Sequence, residues 1–253
     1  MVENTALNEA DALARRHPIA AFSLDALTAG AAKLRPDRIA LAEAVPGQPA
    51  REISYGEFDR QVRALAQHIG ELGLAPGERL LILTSPCMAC VIAPIAALAA
   101  GLEPLLVQIG FGPAELVAIA AAANCTAIVG ASSYAEIDLE EVLFETAARS
   151  ETIRIVATLG PGAADGAIDL APERLSLRDA KPSVAADHRP RIGTLSTQNQ
   201  PIFHEQGALL SAALEFVGKA EIGAGSRLLS TLAPPRSQAS SPDLSQAFCP
   251  ARR

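Results

Sequence analysis

Apolar residues along this chain follow two rhythms. Between residues 58 and 72 they recur at steps of four, three, four and three, as Phe58, Val62, Leu65, Ile69 and Leu72. That spacing predicts the buried stripe of one amphipathic helix. Ser54-Tyr55-Gly56-Glu57 ahead of it reads as a capping box: the Ser oxygen accepts from the Glu57 amide and the Glu reaches back. Gly73 reads as the stop and Pro76-Gly77 as the turn that follows. Short strands are expected at 38–42 and 51–54, around a turn over Pro46–Pro49.

Beyond residue 79 the rhythm changes. Continuous apolar runs, LLILT (80–84), PLLVQ (104–108), TAIVG (126–130) and IRIVAT (153–158), alternate with helical stretches at 88–100, 113–123 and 139–148. Strands that are apolar throughout and separated by helices predict an α/β fold, a mostly parallel sheet flanked by helices on both faces. Residues 160–190, rich in Gly, Pro, Asp and Ala, read as a surface connection. A last unit follows, with a strand over 191–196, a polar turn, a helix over 206–219 and a strand over 227–231. The first thirty residues read as a lead-in, and residues 233–253 as an irregular tail without periodicity.

Composition narrows the class. The chain has 253 residues, 49% hydrophobic, with a formal charge of −7, so it can bury a sizeable core and carries no basic footprint for nucleic acid. Residues 80–102 are uncharged and long enough to cross a bilayer, but Ser85-Pro86 and Pro94 divide them, so strand, turn and buried helix is the expectation. The polar N-terminus has no apolar signal core, and the four cysteines show no disulfide spacing, so a cytoplasmic location is expected.

The order of these segments resembles the opening of the adenylate-forming enzymes, which include acyl-CoA synthetases, peptide-synthetase adenylation domains and luciferases. Pro36–Ala40 matches their P-x-x-x-A strand, and Ser54-Tyr55-Gly56-Glu57-Phe58 their TYxEL. Leu72-Gly73 with Pro76-Gly77-Glu78-Arg79 matches LGxxxGDRV, and Ser85-Pro86 falls near their PN. IAALAAGLEPLLV and Gly112-Pro113-Ala114-Glu115-Leu116 continue the series. The resemblance runs over roughly residues 30 to 232. It implies the N-terminal subdomain of that fold, incomplete here. The parent activity it implies uses ATP and Mg to turn a carboxylic acid into an acyl adenylate, with transfer to CoA or a carrier thiol.

In that family a glycine-rich loop with a lysine cradles the ATP phosphates. Its counterpart here is Gly193 to Leu210, where Thr194, Ser196 and Thr197 supply the remaining hydroxyls and His204 matches a family histidine that shapes the acyl pocket. A half-exposed turn histidine is the plainer reading of His204, and an ordinary polar turn the plainer reading of the loop. No Gly lies between Gly193 and Gly207, and no Lys between Lys181 and Lys219. Each charge-assisted contact so lost is worth about 1.5–3 kcal/mol. The loop is therefore read as degenerate, with no catalytic residue, no confident cofactor and no metal ligand assigned.

The family's adenine, ribose and hinge motifs and its catalytic lysine find no match after Ser230. Re-read in a shifted frame, Arg236–Arg253 can encode an apolar, glycine-punctuated run like the family's next helix, so a frameshift near Pro234–Arg236 is the expectation. The chain alone is expected to be inactive. The alternatives are a non-catalytic binding module on the same scaffold, or one half of a split ligase completed by a separately encoded C-terminal half. Uncovered apolar surface leads to an expectation of self-association.

Cys87-Met88-Ala89-Cys90 is a lone CxxC without a second pair or a nearby His, and reads as small buried residues at a helix start. His68 is expected on the solvated side of its helix. Glu140, Glu141 and Glu145 read as a solvated helix face rather than paired catalytic carboxylates.

Overall fold

A computed structural model describes residues 18–44, 49–134, 137–160, 163, 165–176, 189–223 and 225–228. The tail after residue 228, where the frameshift expectation falls, lies outside the described residues. So do the Pro46–Gln48 part of the expected turn and much of the 160–190 connection.

Six α-helices and eleven strands are described. The helices are α1 (Leu24–Leu34), α2 (Tyr55–Gly70), α3 (Met88–Ala99), α4 (Pro113–Ala123), α5 (Leu139–Arg149) and α6 (Gln206–Lys219). Strands β1 (Ile39–Glu43) and β2 (Arg51–Ser54) form a hairpin, and β6 (Ser133–Tyr134) and β7 (Ile137–Asp138) a two-residue pair. The remaining strands are β3 (Arg79–Thr84), β4 (Glu103–Gln108), β5 (Cys125–Gly130), β8 (Ile155–Thr158), β9 (Ile168–Asp169), β10 (Ile192–Leu195) and β11 (Pro201–His204). They build one seven-stranded sheet in the order β11-β10-β4-β3-β5-β8-β9. Every pairing is parallel except β10 with β11.

The expected layering follows from burial on both faces. Along β3, Leu80 and Ile82 point to one side, with Ala127 and Val129 of β5, and pack under α2 and α3. Leu81 and Leu83 point to the other, with Leu105 and Val107, and pack under α4 and α5. All four β3 residues are 1% exposed or less, which explains why the strand reads as an unbroken apolar run. The stripe residues Phe58, Val62, Leu65 and Ile69 of α2 are buried as their spacing requires.

Several local readings change. Ser54 Oγ accepts from the Glu57 amide at 3.3 Å, but the Glu57 carboxylate does not complete the box. It takes hydrogen bonds from Arg60 and Gln61 instead, because a guanidinium is a stronger donor than an amide. Helix α2 ends at Gly70, three residues before the expected stop. Pro94 sits inside α3 without ending it. His68 is half-buried, and its Nδ1 lies 2.8 Å from the Ala64 carbonyl oxygen.

Residues 24–34, of which 24–30 fall in the expected lead-in, form α1, which packs on α2. It buries no residue fully, and its Leu24, Leu27, Ala31 and Leu34 recur at helical spacing in a stretch otherwise rich in small residues. Part of the expected surface connection is the edge strand β9, followed by buried Leu170 and Ala171. The polar turn expected before α6 contains a strand, β11, which closes a hairpin on β10. Arg227 and Leu228, at the start of the last expected strand, have no strand partner.

Candidate functional site

Strands β3, β4, β5, β8 and β10 run in parallel, so the loops after them gather at one edge of the sheet. Ligands of open α/β sheets bind at this carboxyl edge. The loop after β10, Ser196–Gln200, is the one that the sequence reading singles out, and the hairpin fixes its position.

Thr194 and His204 are brought together. Thr194 faces Ile202 and Ile192 faces His204 across the hairpin, so the two side chains are diagonal neighbours on one face. Thr194 Oγ1 lies 2.8 Å from His204 Nε2. Both residues are half-buried. Ser196 lies two residues beyond Thr194 at the start of the loop, and Thr197 is exposed at its tip.

The loop's hydrogen bonds close on themselves. Ser196 Oγ accepts from the amides of Gln198 at 3.2 Å and Gln200 at 3.1 Å. The Ser196 carbonyl accepts from the Asn199 amide at 3.0 Å, and the Ser196 amide donates to the Gln200 carbonyl at 2.8 Å. Four of the five amides in this segment are thus taken up by the segment itself. A phosphate cradle works in the opposite way, with consecutive N–H groups pointing outward into a concavity. Asn199 holds the left-handed position with φ at 59°, a place where glycine is the usual occupant. Triphosphate does not fit the loop in this conformation.

Behind the hairpin sits a cluster that the sequence reading missed. Glu103 at the start of β4 is 4% exposed and receives three charged hydrogen bonds. Arg191 Nε donates at 2.8 Å, Arg191 Nη2 at 3.2 Å and Arg79 Nε at 3.1 Å. Burial pushes the carboxyl pKa up, but the bonds from Arg191 and Arg79 outweigh it and hold Glu103 below the ordinary carboxylate value. The Arg79 guanidinium also lies 4.2 Å over the Phe203 ring. This clasp ties β11 and β10 to β4 and β3 at the end of the sheet away from the loop. Gly193 completes the fit, since a Cβ there would come within 2.8 Å of both Leu105 Cδ1 and Phe203 Cε1. On the other side Gln206 bridges the Leu24 amide and the Pro190 carbonyl, each at 2.9 Å, and so anchors α6 to α1.

Among the described residues no group of three or more His, Cys, Asp or Glu could hold a metal ion. No described helix is long and apolar enough to cross a membrane.

The profile of one family, the AMP-binding enzymes, matches residues 29–191, well over half of the chain. The chain belongs to the AMP-binding enzyme family. Among curated relatives is a salicyl-AMP ligase / salicyl-S-ArCP synthetase from Mycobacterium tuberculosis (strain ATCC 25618 / H37Rv). It is 34% identical over 142 residues, covering 55% of this chain and 25% of that protein. A 2-hydroxy-7-methoxy-5-methyl-1-naphthoate–CoA ligase from Streptomyces carzinostaticus is 25% identical over 179 residues, covering 71% of this chain and 30% of that protein.

The acetoacetyl-CoA synthetase from Streptomyces lividans superposes with a TM-score of 0.72 at 24% identity, over 84% of this chain and 35% of that one. The Mycobacterium smegmatis MbtA apo structure gives 0.59 at 24% identity, over 73% of this chain and 33% of that one. The mostly parallel α/β sheet is thus the fold of adenylate-forming synthetases. The chain spans no more than about a third of the length of any of these relatives.

Proposed function

We propose that this chain is the scaffold portion of an AMP-forming acid–thiol ligase and that its 253 residues do not by themselves activate an acid. The parent reaction joins a carboxylate to AMP with release of pyrophosphate, then passes the acyl group to a thiol. The observation that carries the proposal is the closed loop at Ser196–Gln200, whose amides serve its own turn. With no lysine between Lys181 and Lys219 to add charge, Ser196 and Thr197 offer a triphosphate only hydroxyls. Thr194 and His204 are within hydrogen-bond distance of each other beside the loop, and the family resemblance assigns this histidine to the acyl pocket.

The acid class of the parent activity is read as hydroxyaryl. Support comes from the two curated relatives, whose names carry a salicyl and a hydroxynaphthoate group. Activity in this reading requires a second polypeptide or segment that supplies the adenine, metal and lysine functions. The test is pyrophosphate release with ATP and Mg over a panel of salicylate, 2-hydroxynaphthoate, fatty and amino acids. Background rates for every acid are expected with the chain alone; turnover on any of them refutes the proposal.

A further inference from the structure

The CxxC read from sequence as small residues at a helix start occupies a particular place in the fold. Cys87 is the residue that precedes the first turn of the twelve-residue helix α3, directly after β3. The connections from β3 and from β5 leave toward opposite sides of the sheet, to β4 and to β8. The loop after β3 therefore stands at the topological switch, the crevice where open α/β sheets take ligands. Cys90 follows one turn later.

Both sulfurs converge on one hydroxyl. Ser85 Oγ donates to Cys87 Sγ at 3.4 Å and lies 3.6 Å from Cys90 Sγ, and the Ser85 amide also donates to Cys90 Sγ at 3.4 Å. The two differ in access: Cys87 is half-buried and Cys90 is 2% exposed. A partly exposed first cysteine and a buried second one within one helical turn match the arrangement of an attacking and a resolving thiol.

We propose that Cys87 and Cys90 form a redox-active dithiol, with Cys87 as the nucleophile toward small disulfides and Cys90 as the resolving thiol. The Cys90 thiol itself points at the Leu83 carbonyl at 3.9 Å, and the neighbouring Cys90 side chain is the main reason that the Cys87 pKa falls to about 6. Burial and the field of Glu43 oppose this, and the Ser85 hydroxyl adds to it. Burial and the same Cys87 contact push Cys90 up, so the proton of the pair rests there.

The exchange balances in two steps with a small disulfide such as glutathione disulfide as oxidant. The Cys87 thiolate attacks one sulfur of that disulfide. The S–S bond breaks, a glutathione thiolate leaves and takes a proton from water, and a mixed disulfide stands on Cys87. Cys90 then attacks Cys87 Sγ, and its proton goes to the second departing glutathione. Two electrons have passed from the protein dithiol to the two glutathione thiols.

The rate expected follows from ionisation. At about pH 6 a thiol of pKa about 6 is half ionised, against about 0.3% for an ordinary cysteine of pKa about 8.5. The lower basicity, with a Brønsted slope of about 0.5, takes back roughly 17-fold. About a tenfold faster reaction than an unperturbed thiol remains.

The test uses the full chain carrying Cys249→Ser, alkylated with limiting iodoacetamide between about pH 5 and pH 9, with the modified sites mapped by mass spectrometry. Cys87 is expected to react about tenfold faster at the acid end than the same cysteine in the urea-unfolded chain, with a midpoint near 6. Cys125, buried and pushed up to about 12, is the internal control. With glutathione disulfide, the chain should end two hydrogens lighter, with a Cys87–Cys90 bond. Cys90→Ser should stop at the mixed disulfide on Cys87, and Cys87→Ser should do neither. A Cys87 no faster than in the unfolded chain, or a lasting mixed disulfide in the chain with both cysteines, overturns the proposal. The mapping needs no change at residue 87 or 90, so it decides the matter if either variant fails to fold.

Discussion

Replacing Glu103 with Gln removes one charge from a clasp that joins four strands. The carboxylate side chain is 6% exposed, whereas Arg79 and Arg191 keep 26% and 37% of theirs. Breaking a fully buried ion pair costs about 3–5 kcal/mol. Here both guanidinium groups recover part of their hydration, and the amide still offers one acceptor oxygen, so about 2–3 kcal/mol is expected. For a chain of this size that lowers the thermal midpoint by roughly 5–10 °C. Thermal melts followed by circular dichroism at neutral and acid pH read it out. The sign of the pH effect follows from the depressed pKa of Glu103. Its contribution is complete above the ordinary carboxylate range and is lost as pH falls through the folded value. The gap between the parent chain and Glu103→Gln should therefore close in acid. A neutral-pH drop under about 2 °C, or a gap that stays constant on acidification, refutes the clasp.

Gly193→Ala drives a methyl against Leu105 and Phe203 and should destabilise by about 1–3 kcal/mol in urea unfolding. Leu65→Ala empties a fully buried position on the α2 stripe, and the same assay should show a loss of about 2–5 kcal/mol. Ser196→Ala removes the acceptor for the Gln198 and Gln200 amides, and hydrogen exchange at those two amides should quicken by about tenfold while global stability falls by about 1 kcal/mol or less.

What sequence could reveal here follows from what burial imprints on it. Strands β3, β4 and β5 are covered on both sides, so composition alone marks them, and α2 has a single buried stripe that spacing marks equally well. Helix α1 buries nothing completely, so its apolar positions Leu24, Leu27, Ala31 and Leu34 are spread among small residues and mark it weakly. Strand β11 is an edge strand of four half-buried residues, paired on one side by β10, and its PIFH reads as turn or strand with equal ease.

At the candidate site, sequence supplied the missing glycines and lysine. The inward-facing amides depend on the Ser196 turn, which only coordinates reveal. Arg79, Glu103 and Arg191 stand 24 and 88 residues apart and are joined by strand order alone. Cys87 and Cys90 were visible as a spacing. Their shared hydroxyl and unequal access required the loop after β3 to be seen in place.

Calorimetric titration of the chain with ATP and Mg tests the central claim most directly, because a loop that spends four of its five amides on its own turn offers a triphosphate little beyond hydroxyls. The account predicts no saturable heat up to about 1 mM nucleotide. A sub-millimolar Kd that weakens in Ser196→Ala and Thr197→Val would contradict it.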